Sequence, residues 1–138
     1  MLDKKRESDP IALQPQGWPQ PKGYSNGMSA KGRVVVTGGV VGWDEHQKFA
    51  DGLVAQIKRT LENIVSIIAE AGAEPRHVMR LTWYVVDVED YLSKQREIGA
   101  AYRDVMGRNF PAMAVVQVVR LVEKQALVEI EATAVIPE

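Results

Sequence analysis

The chain has 138 residues, 46% hydrophobic and 25% charged, which predicts one globular domain because two would each lack a sufficient core. Seventeen basic and eighteen acidic side chains give a net charge of −1, so nucleic acid is not expected as a partner. Cysteine is absent, which excludes disulfides and thiolate chemistry, and two isolated histidines predict no metal site. No signal peptide and no apolar run of membrane-spanning length is visible, so we expect a cytoplasmic protein.

Residues 1–23 are rich in proline and glutamine. Four of the seven prolines lie here, and proline cannot donate a backbone hydrogen bond to a strand ladder. We predict an irregular arm over residues 1–23 and a single domain over residues 24–138. A first strand is predicted to begin within 23–28, and the β-branched run 34–37, which ends at two glycines, predicts a second.

The hydrophobic period changes between residues 49 and 71, where apolar side chains recur at three- and four-residue steps. This pattern predicts a helix of about six turns that ends before Gly72, a residue suited to a left-handed C′ position. A second helix is predicted to run from Asp90, as its N-cap, to about residue 106. The predicted buried residues are Leu53, Ile57, Leu61, Ile64, Val65 and Ile68 on the first helix and Ile98, Tyr102 and Met106 on the second.

Three further strands are predicted at 78–86, 112–121 and 126–136. The order β-β-α-β-α-β-β indicates an α+β fold with two helices on one face of a single sheet. Both sides of the strand at 112–121 are mainly apolar, so the face without helices would expose a hydrophobic patch, which usually marks an interface. Glu129 and Glu131 share one side of the last strand, and buried carboxylates are costly unless paired or solvated. This face is therefore expected to border water or to line a polar pocket between subunits.

An ordered set of short motifs resembles the RidA/YjgF family of small trimeric proteins, formerly labelled translation inhibitors or L-PSP endoribonucleases. The resemblance runs from about residue 24 to the C terminus. It implies a chorismate-mutase-like α+β subunit, three of which pack sheet to sheet into a homotrimeric barrel. The motifs are Gly23-Tyr24-Ser25, Val36-Thr37-Gly38-Gly39, Glu70-Ala71-Gly72, Val85-Val86-Asp87 with Tyr91, Tyr102, Phe110-Pro111-Ala112, Val118-Val119-Arg120-Leu121 and Val128-Glu129-Ile130-Glu131-Ala132.

In the active members that the chain resembles, the pocket lies between subunits. An arginine after the Phe-Pro-Ala segment holds the substrate carboxylate, and a glutamate on the last strand positions the water that attacks an imine carbon. The resemblance implies that Glu129 and Tyr24 are the catalytic residues and that Gly38 and Gly39 offer backbone contacts to the substrate. No cofactor is implied, because a protonated imine carbon is already electrophilic.

The sequence departs from the family pattern at three positions. Met113 stands at the arginine position, Val115 at that of a cysteine found in many members, and Gly99 at that of an asparagine preceding the helical Tyr102. Met113, Val115 and Tyr102 would still line the substrate pocket. Methionine cannot pair with a carboxylate, so the usual 2-imino acids would lose an anchor worth about 2–5 kcal/mol.

Two functions of different classes follow. The first is an enzyme, a hydrolase of C=N bonds that releases ammonia from a small imine or enamine other than the usual 2-imino acids. The second is a non-catalytic trimer that binds a metabolite or a protein partner, and Met113 favours it. An RNA-cleaving activity is disfavoured by the slightly acidic charge and the lack of a basic motif.

The candidate site residues also have structural interpretations. Glu129 could form an ion pair with Arg120 or a lysine at the strand edge, and Tyr24 could simply pack on the first strand. Gly38 and Gly39 could form a bulge at a strand end, which is compatible with a role in binding.

Five other residues have a structural interpretation as the first choice. Trp83 is predicted to lie in the core. Arg80 and Arg120 are the strand arginines that could replace the missing anchor, but Arg80 is predicted to be solvated and Arg120 to form a surface or interface salt bridge. His46 and His77 are expected to be exposed in loops.

Overall fold

The structure is a computed structural model that describes residues 8–138, and one mixed sheet forms its centre. Strands β5 and β7 are rich in β-branched residues, which suit a pleated sheet. The strands are β1 (Ile11–Leu13), β2 (Gly27–Ser29), β3 (Arg33–Val36), β4 (Val40–Val41), β5 (Val78–Val85), β6 (Ala112–Gln117) and β7 (Val128–Ile136).

The order across the sheet is β3-β7-β5-β6, with β4 also paired to β7. Strand β7 runs antiparallel to β3, β4 and β5, whereas β5 and β6 are parallel. A parallel pair requires a crossover connection, and helices supply it here. The α+β fold is therefore confirmed. The prediction of a single sheet is wrong, because the first predicted strand, β2, pairs with β1 in a separate two-stranded sheet. The short strands β1 and β4 were not predicted.

Helix α1 (Leu53–Ala69) buries the apolar stripe that the sequence predicts, and Ile57, Leu61, Ile64 and Ile68 are each 0% exposed. The helix begins later than the hydrophobic period does, because Gly52 has a φ of 90°, which a helix cannot continue. Gly72 has a φ of 85°, as predicted for a residue after a helix.

The predicted second helix is divided into α2 (Val88–Ser93) and α3 (Gln95–Met106), with Lys94 between them at φ −122° and ψ 27°. The prediction that Asp90 is the N-cap is wrong. Asp87 caps the helix instead, because its Oδ1 accepts hydrogen bonds from the backbone N–H groups of Glu89 at 3.0 Å and Asp90 at 3.1 Å. The helix face is as predicted, with Ile98, Tyr102 and Met106 buried.

Strand β6 ends at Gln117, four residues before the predicted end. Its partner β5 ends at Val85, whose carbonyl accepts the last hydrogen bond, from Val118 N–H at 2.9 Å. Gln117 then turns to the start of α2, where its Oε1 accepts from Val88 N–H at 2.8 Å. Residues 118–121 therefore have no strand beside them.

The two faces of the sheet are covered unequally. The helices pack on one face, where the alternate residues Leu81, Trp83 and Val85 of β5 and Val128, Ile130, Ala132 and Ala134 of β7 are at most 3% exposed. We call the other side the open face and define it by Val34, Val36, Tyr84, Glu129 and Glu131. Val34 and Val36 are 63% and 65% exposed there, so the prediction of helices on one face only is confirmed.

The predicted arm is not irregular throughout, because β1 pairs antiparallel with β2. Residues 1–7 lie outside the described part. Before β1, the buried Asp9 approaches Arg76 (Oδ2 to Nε, 3.5 Å) and His77 (Oδ1 to Nε2, 3.8 Å). His77 is only 5% exposed, so the prediction of an exposed loop histidine is wrong for it, while His46 is exposed as expected. No helix within residues 8–138 combines the length and hydropathy needed to cross a membrane.

Candidate functional site

A cleft of about 850 Å³ opens beside α3 and β6. Trp83 from β5 and Met113 and Val115 from β6 form its floor, since these residues share the helix-covered side of the sheet. Helix α3 and the segment before β2 supply the walls. The lining residues are Lys22, Gly23, Tyr24, Trp83, Tyr91, Gln95, Ile98, Gly99, Tyr102, Arg103, Arg108, Phe110, Met113 and Val115.

Four of these side chains form a continuous aromatic wall. Phe110 stacks on Tyr102 at a centroid distance of 5.7 Å, Tyr102 on Trp83 at 6.4 Å, and Trp83 meets Tyr91 edge-on at 6.3 Å. The prediction that Trp83 is a core residue is confirmed by its 2% exposure. Its indole N–H is buried without a hydrogen-bond acceptor among the described residues. The wall therefore makes one side of the cleft apolar and aromatic.

Tyr102 contributes its ring to the cleft rather than its hydroxyl. The hydroxyl donates a hydrogen bond to the backbone carbonyl of Asn109. Burial raises the pKa of Tyr102 well above its usual range, because the phenolate would lose its hydration. The side chain therefore stays neutral at all ordinary pH values.

Tyr24 stands at the rim of the cleft and is 44% exposed. The neighbouring Ser25 fixes the backbone there, since its N–H donates to the Pro111 carbonyl at 3.0 Å and its hydroxyl to the Phe110 carbonyl at 2.5 Å. Tyr24 thus joins Tyr102, Met113 and Val115 in one cleft, as four of the seven predicted site residues.

The other three predicted site residues lie elsewhere. Glu129 faces the open face, because its neighbour Ile130 points toward the helices. A Cβ atom on Gly39 would lie 2.1 Å from Glu129 Oε2, so the carboxylate rests directly against bare backbone. Gly38 follows Thr37 and is exposed. Within one chain, none of these three residues lines the cleft.

The glycine pair interrupts the ladder between β3 and β4. Thr37 spans the interruption, since its N–H donates to the Ala132 carbonyl at 2.9 Å and its Oγ1 accepts from the Ala132 N–H at 3.0 Å. Gly38 and Gly39 can therefore depart from the strand ladder and approach Glu129, because the backbone N–H and carbonyl groups of Ala132 remain hydrogen-bonded.

Glu129 has no ion pair among residues 8–138, so the predicted pairing with Arg120 or a lysine is absent within one chain. Its neighbour Glu131 is engaged, because Tyr84 donates a hydrogen bond to Oε1 at 2.6 Å. This hydrogen bond, with the nearby negative charge, raises the pKa of Tyr84. Glu129 is thus the free carboxylate of the pair. The described residues contain no cluster of three metal-ligating side chains.

The comparisons with known proteins decide the family. A family model described as Endoribonuclease L-PSP matches residues 18–136, most of the chain. The chain belongs to the RidA/YjgF family.

Several relatives show how close the family relationship is. A RutC family protein of Pyrococcus abyssi is 35% identical over 118 residues, which cover 84% of this chain and 89% of that protein. The 2-iminobutanoate/2-iminopropanoate deaminase of Salmonella typhimurium is 30% identical over 130 residues, covering 94% and 93%. The crystal structure of a Rid family protein of unknown function from Yersinia pestis matches with a TM-score of 0.81 at 28% identity, covering 93% and 99%. The YjgF structure of E. coli matches with a TM-score of 0.66 at 26% identity, covering 94% of each chain.

The residues that differ from the RidA/YjgF pattern change the character of the cleft but do not make it uncharged. Lys22, Arg103 and Arg108 line it, and no aspartate or glutamate among residues 8–138 does. Arg80 and Arg120, the two arginines singled out from the sequence, do not line it; Arg80 is exposed, as predicted. Sequence reasoning missed the three cations because it searched the strands, whereas these residues lie in or next to the helix and in the arm.

Proposed function

We propose that this RidA/YjgF family member is a hydrolase of a small imine or enamine that releases ammonia at clefts between the subunits of a homotrimer. The supporting observation is the free carboxylate of Glu129, which lies beside the bare backbone of Gly39 on an uncovered sheet face. The relatives named 2-iminobutanoate/2-iminopropanoate deaminase, from Salmonella typhimurium and from Homo sapiens, support the reaction class.

A homotrimer would join the two separate groups of site residues. The exposed Val34 and Val36 make the open face apolar at one edge, and burial of such a patch stabilises an interface by about 25 cal/mol per Å². If the open face of one subunit packs against the β6 edge of the next, where the cleft opens, the Glu129 of the first subunit would approach the cleft of the second. Each site would then combine Tyr24 and Met113 of one chain with Glu129 and the glycines of another.

The proposed reaction uses water as the nucleophile and no cofactor. Glu129 accepts a proton from water as the water oxygen bonds to the protonated imine carbon, which gives a tetrahedral carbinolamine. The protonated Glu129 then returns that proton to the nitrogen. As the C–N bond breaks, the hydroxyl group gives its proton to the Glu129 carboxylate and becomes the carbonyl. Glu129 passes this proton to the departing ammonia, so a carbonyl compound and ammonium leave and the carboxylate is restored. Tyr24 would orient the substrate, and the N–H groups of Gly38 and Gly39 would contact it.

The test is ammonia release by Glu129→Gln beside the matched control Glu131→Gln. Both substitutions remove a carboxylate from the same face of the same strand, but only Glu129 touches Gly39. We expect Glu129→Gln to lower kcat by about 10²-fold or more, the usual loss of a general base, and Glu131→Gln to stay near the unaltered protein. Undiminished release by Glu129→Gln would refute the assignment of Glu129.

The rival function is a non-catalytic binding protein of the same fold, and the methionine at position 113 favours it. This rival predicts that a carboxylate ligand binds the cleft while no imine or enamine loses ammonia faster than in buffer. Light scattering separates both from a third outcome, since a particle of 15.3 kDa instead of about three times that mass would remove the proposed inter-subunit site.

A further inference from the structure

Three cationic side chains line the cleft. Among residues 8–138, the side chains of Lys22, Arg103 and Arg108 form no ion pair and no hydrogen bond, and no acidic residue lines the cleft. The whole chain has a net charge of −1, so this local excess is a property of the cleft and not of the composition. Converging cations in a concave site attract an anion.

Gly99 lies directly beside one of these cations. A Cβ atom on Gly99 would be 3.2 Å from Nη1 of Arg103 and 3.9 Å from its Cζ. The guanidinium therefore lies beside the helix backbone one turn earlier, and a methyl group at position 99 would shift it by a few tenths of an ångström.

The cations belong to other elements than Met113, so a ligand carboxylate bound to them would lie at a different place in the cleft. Arg103 belongs to α3 and Arg108 to the loop after it, while Met113 lies on the floor of the cleft. The aromatic wall, with Tyr102 at its centre, lines the same cleft. The cleft of one chain measures about 850 Å³, within the range of about 300–1,000 Å³ typical of small-molecule pockets.

We propose that Arg103 and Arg108 form the carboxylate-binding site of the cleft, and that the ligand is a planar, conjugated carboxylate. Its charged end binds the two guanidinium groups, its body lies on the aromatic wall, and its C=N carbon is several bonds away from the carboxylate. The imine part of this ligand rests on the proposed function, whereas the carboxylate site does not.

Binding of stable probes tests the site without any turnover. The probes are trans-cinnamate, its neutral isostere trans-cinnamamide, and the short acid 2-oxobutanoate, each titrated calorimetrically into the full-length protein. We expect cinnamate to bind most tightly and to lose affinity as salt is raised. An equal affinity for cinnamamide, or a higher affinity for 2-oxobutanoate, would overturn the proposal.

Substitutions of the two arginines test whether they bind the carboxylate. In Arg103→Gln/Arg108→Gln, cinnamate should bind at least about tenfold more weakly, as expected for the loss of charge-assisted hydrogen bonds, and cinnamamide should be unaffected. Arg96→Gln is the matched control, since Arg96 is an exposed residue of the same helix that does not line the cleft. Unchanged cinnamate binding by the double variant would refute the site.

Gly99→Ala tests whether the position of the Arg103 guanidinium affects binding independently of the stability of the protein. Alanine is the better residue inside a helix, so the variant should unfold at a higher temperature than the unaltered protein. Its methyl group should shift the Arg103 guanidinium by a few tenths of an ångström and weaken cinnamate binding by less than the double variant does. A rise in both stability and affinity would contradict the role of Gly99. If cinnamate binds as expected but Glu129→Gln does not affect ammonia release, the proposed reaction fails and the carboxylate site stands.

Discussion

The cleft and the open face lie on opposite sides of the same strands, and they differ in what fixes their side chains. In the cleft, Trp83 and Tyr102 belong to the hydrophobic core, so the wall is as rigid as the helix packing behind it. On the open face, Glu129 rests on backbone at Gly39, and Val36 is 65% exposed. The comparison teaches that strand alternation sends the two groups of predicted site residues to opposite sides. One chain therefore holds both groups but cannot join them.

The largest expected effect comes from charging the open face. Val36→Glu should place a carboxylate in the proposed subunit interface, where an unpaired buried charge is strongly disfavoured. We expect light scattering to shift from about three times 15.3 kDa to 15.3 kDa. Ile67→Glu is the control, because Ile67 is 45% exposed on the outer side of α1, and it should keep the larger mass. A trimer that survives Val36→Glu would place the interface elsewhere.

On the helix-covered face of the sheet, the expected effect is a loss of stability when a side chain is shortened and leaves a cavity. Leu61 is 0% exposed between α1 and the sheet, so Leu61→Ala should lower the free energy of unfolding by about 2–5 kcal/mol. Ile67→Ala, on the exposed side of the same helix, should cost less than about 1 kcal/mol. Urea unfolding measures both, and equal losses would mean that the two sides of α1 do not differ as described.

A smaller effect is expected where the open face meets bare backbone. Gly39→Ala should lower the free energy of unfolding by about 1–3 kcal/mol, because the new methyl group overlaps the Glu129 carboxylate. Gly38→Ala has nothing within 4 Å of its Cβ and should change the same free energy by less than about 0.5 kcal/mol. Equal effects at the two glycines would show that Glu129 does not lie against Gly39 in solution.

The activity of the cleft should change when an arginine is placed on β6 at position 113. Met113→Arg restores the charge partner at the family position, so kcat/KM for 2-iminobutanoate should rise by about tenfold or more. A conjugated substrate anchored at Arg103 should not gain in parallel. The comparison of the two substrates, measured as ammonia release, is the readout. A high activity of the unaltered protein on short imino acids would mean that another residue already anchors them.

The smallest effect concerns the titration of Tyr84. Glu131 raises the pKa of Tyr84 through its hydrogen bond and charge, so Glu131→Gln should move the tyrosinate absorbance transition to lower pH. Because the folded pKa lies above the unfolded one, the stability that this hydrogen bond contributes is present below about pH 10 and is lost as pH rises through the folded pKa. An unmoved transition would contradict the contact.

Local patterns predicted most of the fold. The apolar stripe of α1 and the left-handed Gly72 follow from spacing and from one residue's conformational freedom. The N-cap was misplaced because Asp87 and Asp90 both precede the same apolar run, and only the end of β5 selects between them. His77 is buried by a contact with Asp9, far earlier in the chain, which no local pattern reveals.

The site was predictable only as separate parts. Glu129 and Met113 follow from the family motifs, but their opposite directions require the pairing of β7 with β5 and of β5 with β6. The proposed carboxylate-binding role of Arg103 was not predicted. Its only signal in the sequence is the glycine four residues earlier on the same helix face, and a glycine occurs in helices for many reasons. The meaning of that spacing appears once the guanidinium is seen to lie on Gly99.

The single hydroxyl of Thr37 has a consequence for the alignment of the strands. Because it accepts from Ala132 N–H while the Thr37 N–H donates to the Ala132 carbonyl, the residue acts as a clasp that fixes one alignment of β3 and β7. A slip by one residue would break both bonds and turn every side chain of the strand over. Serine could keep the clasp and valine could not, although valine is closer in shape. The position of Gly39 against Glu129 therefore depends on a strand alignment that Thr37, two residues earlier, fixes.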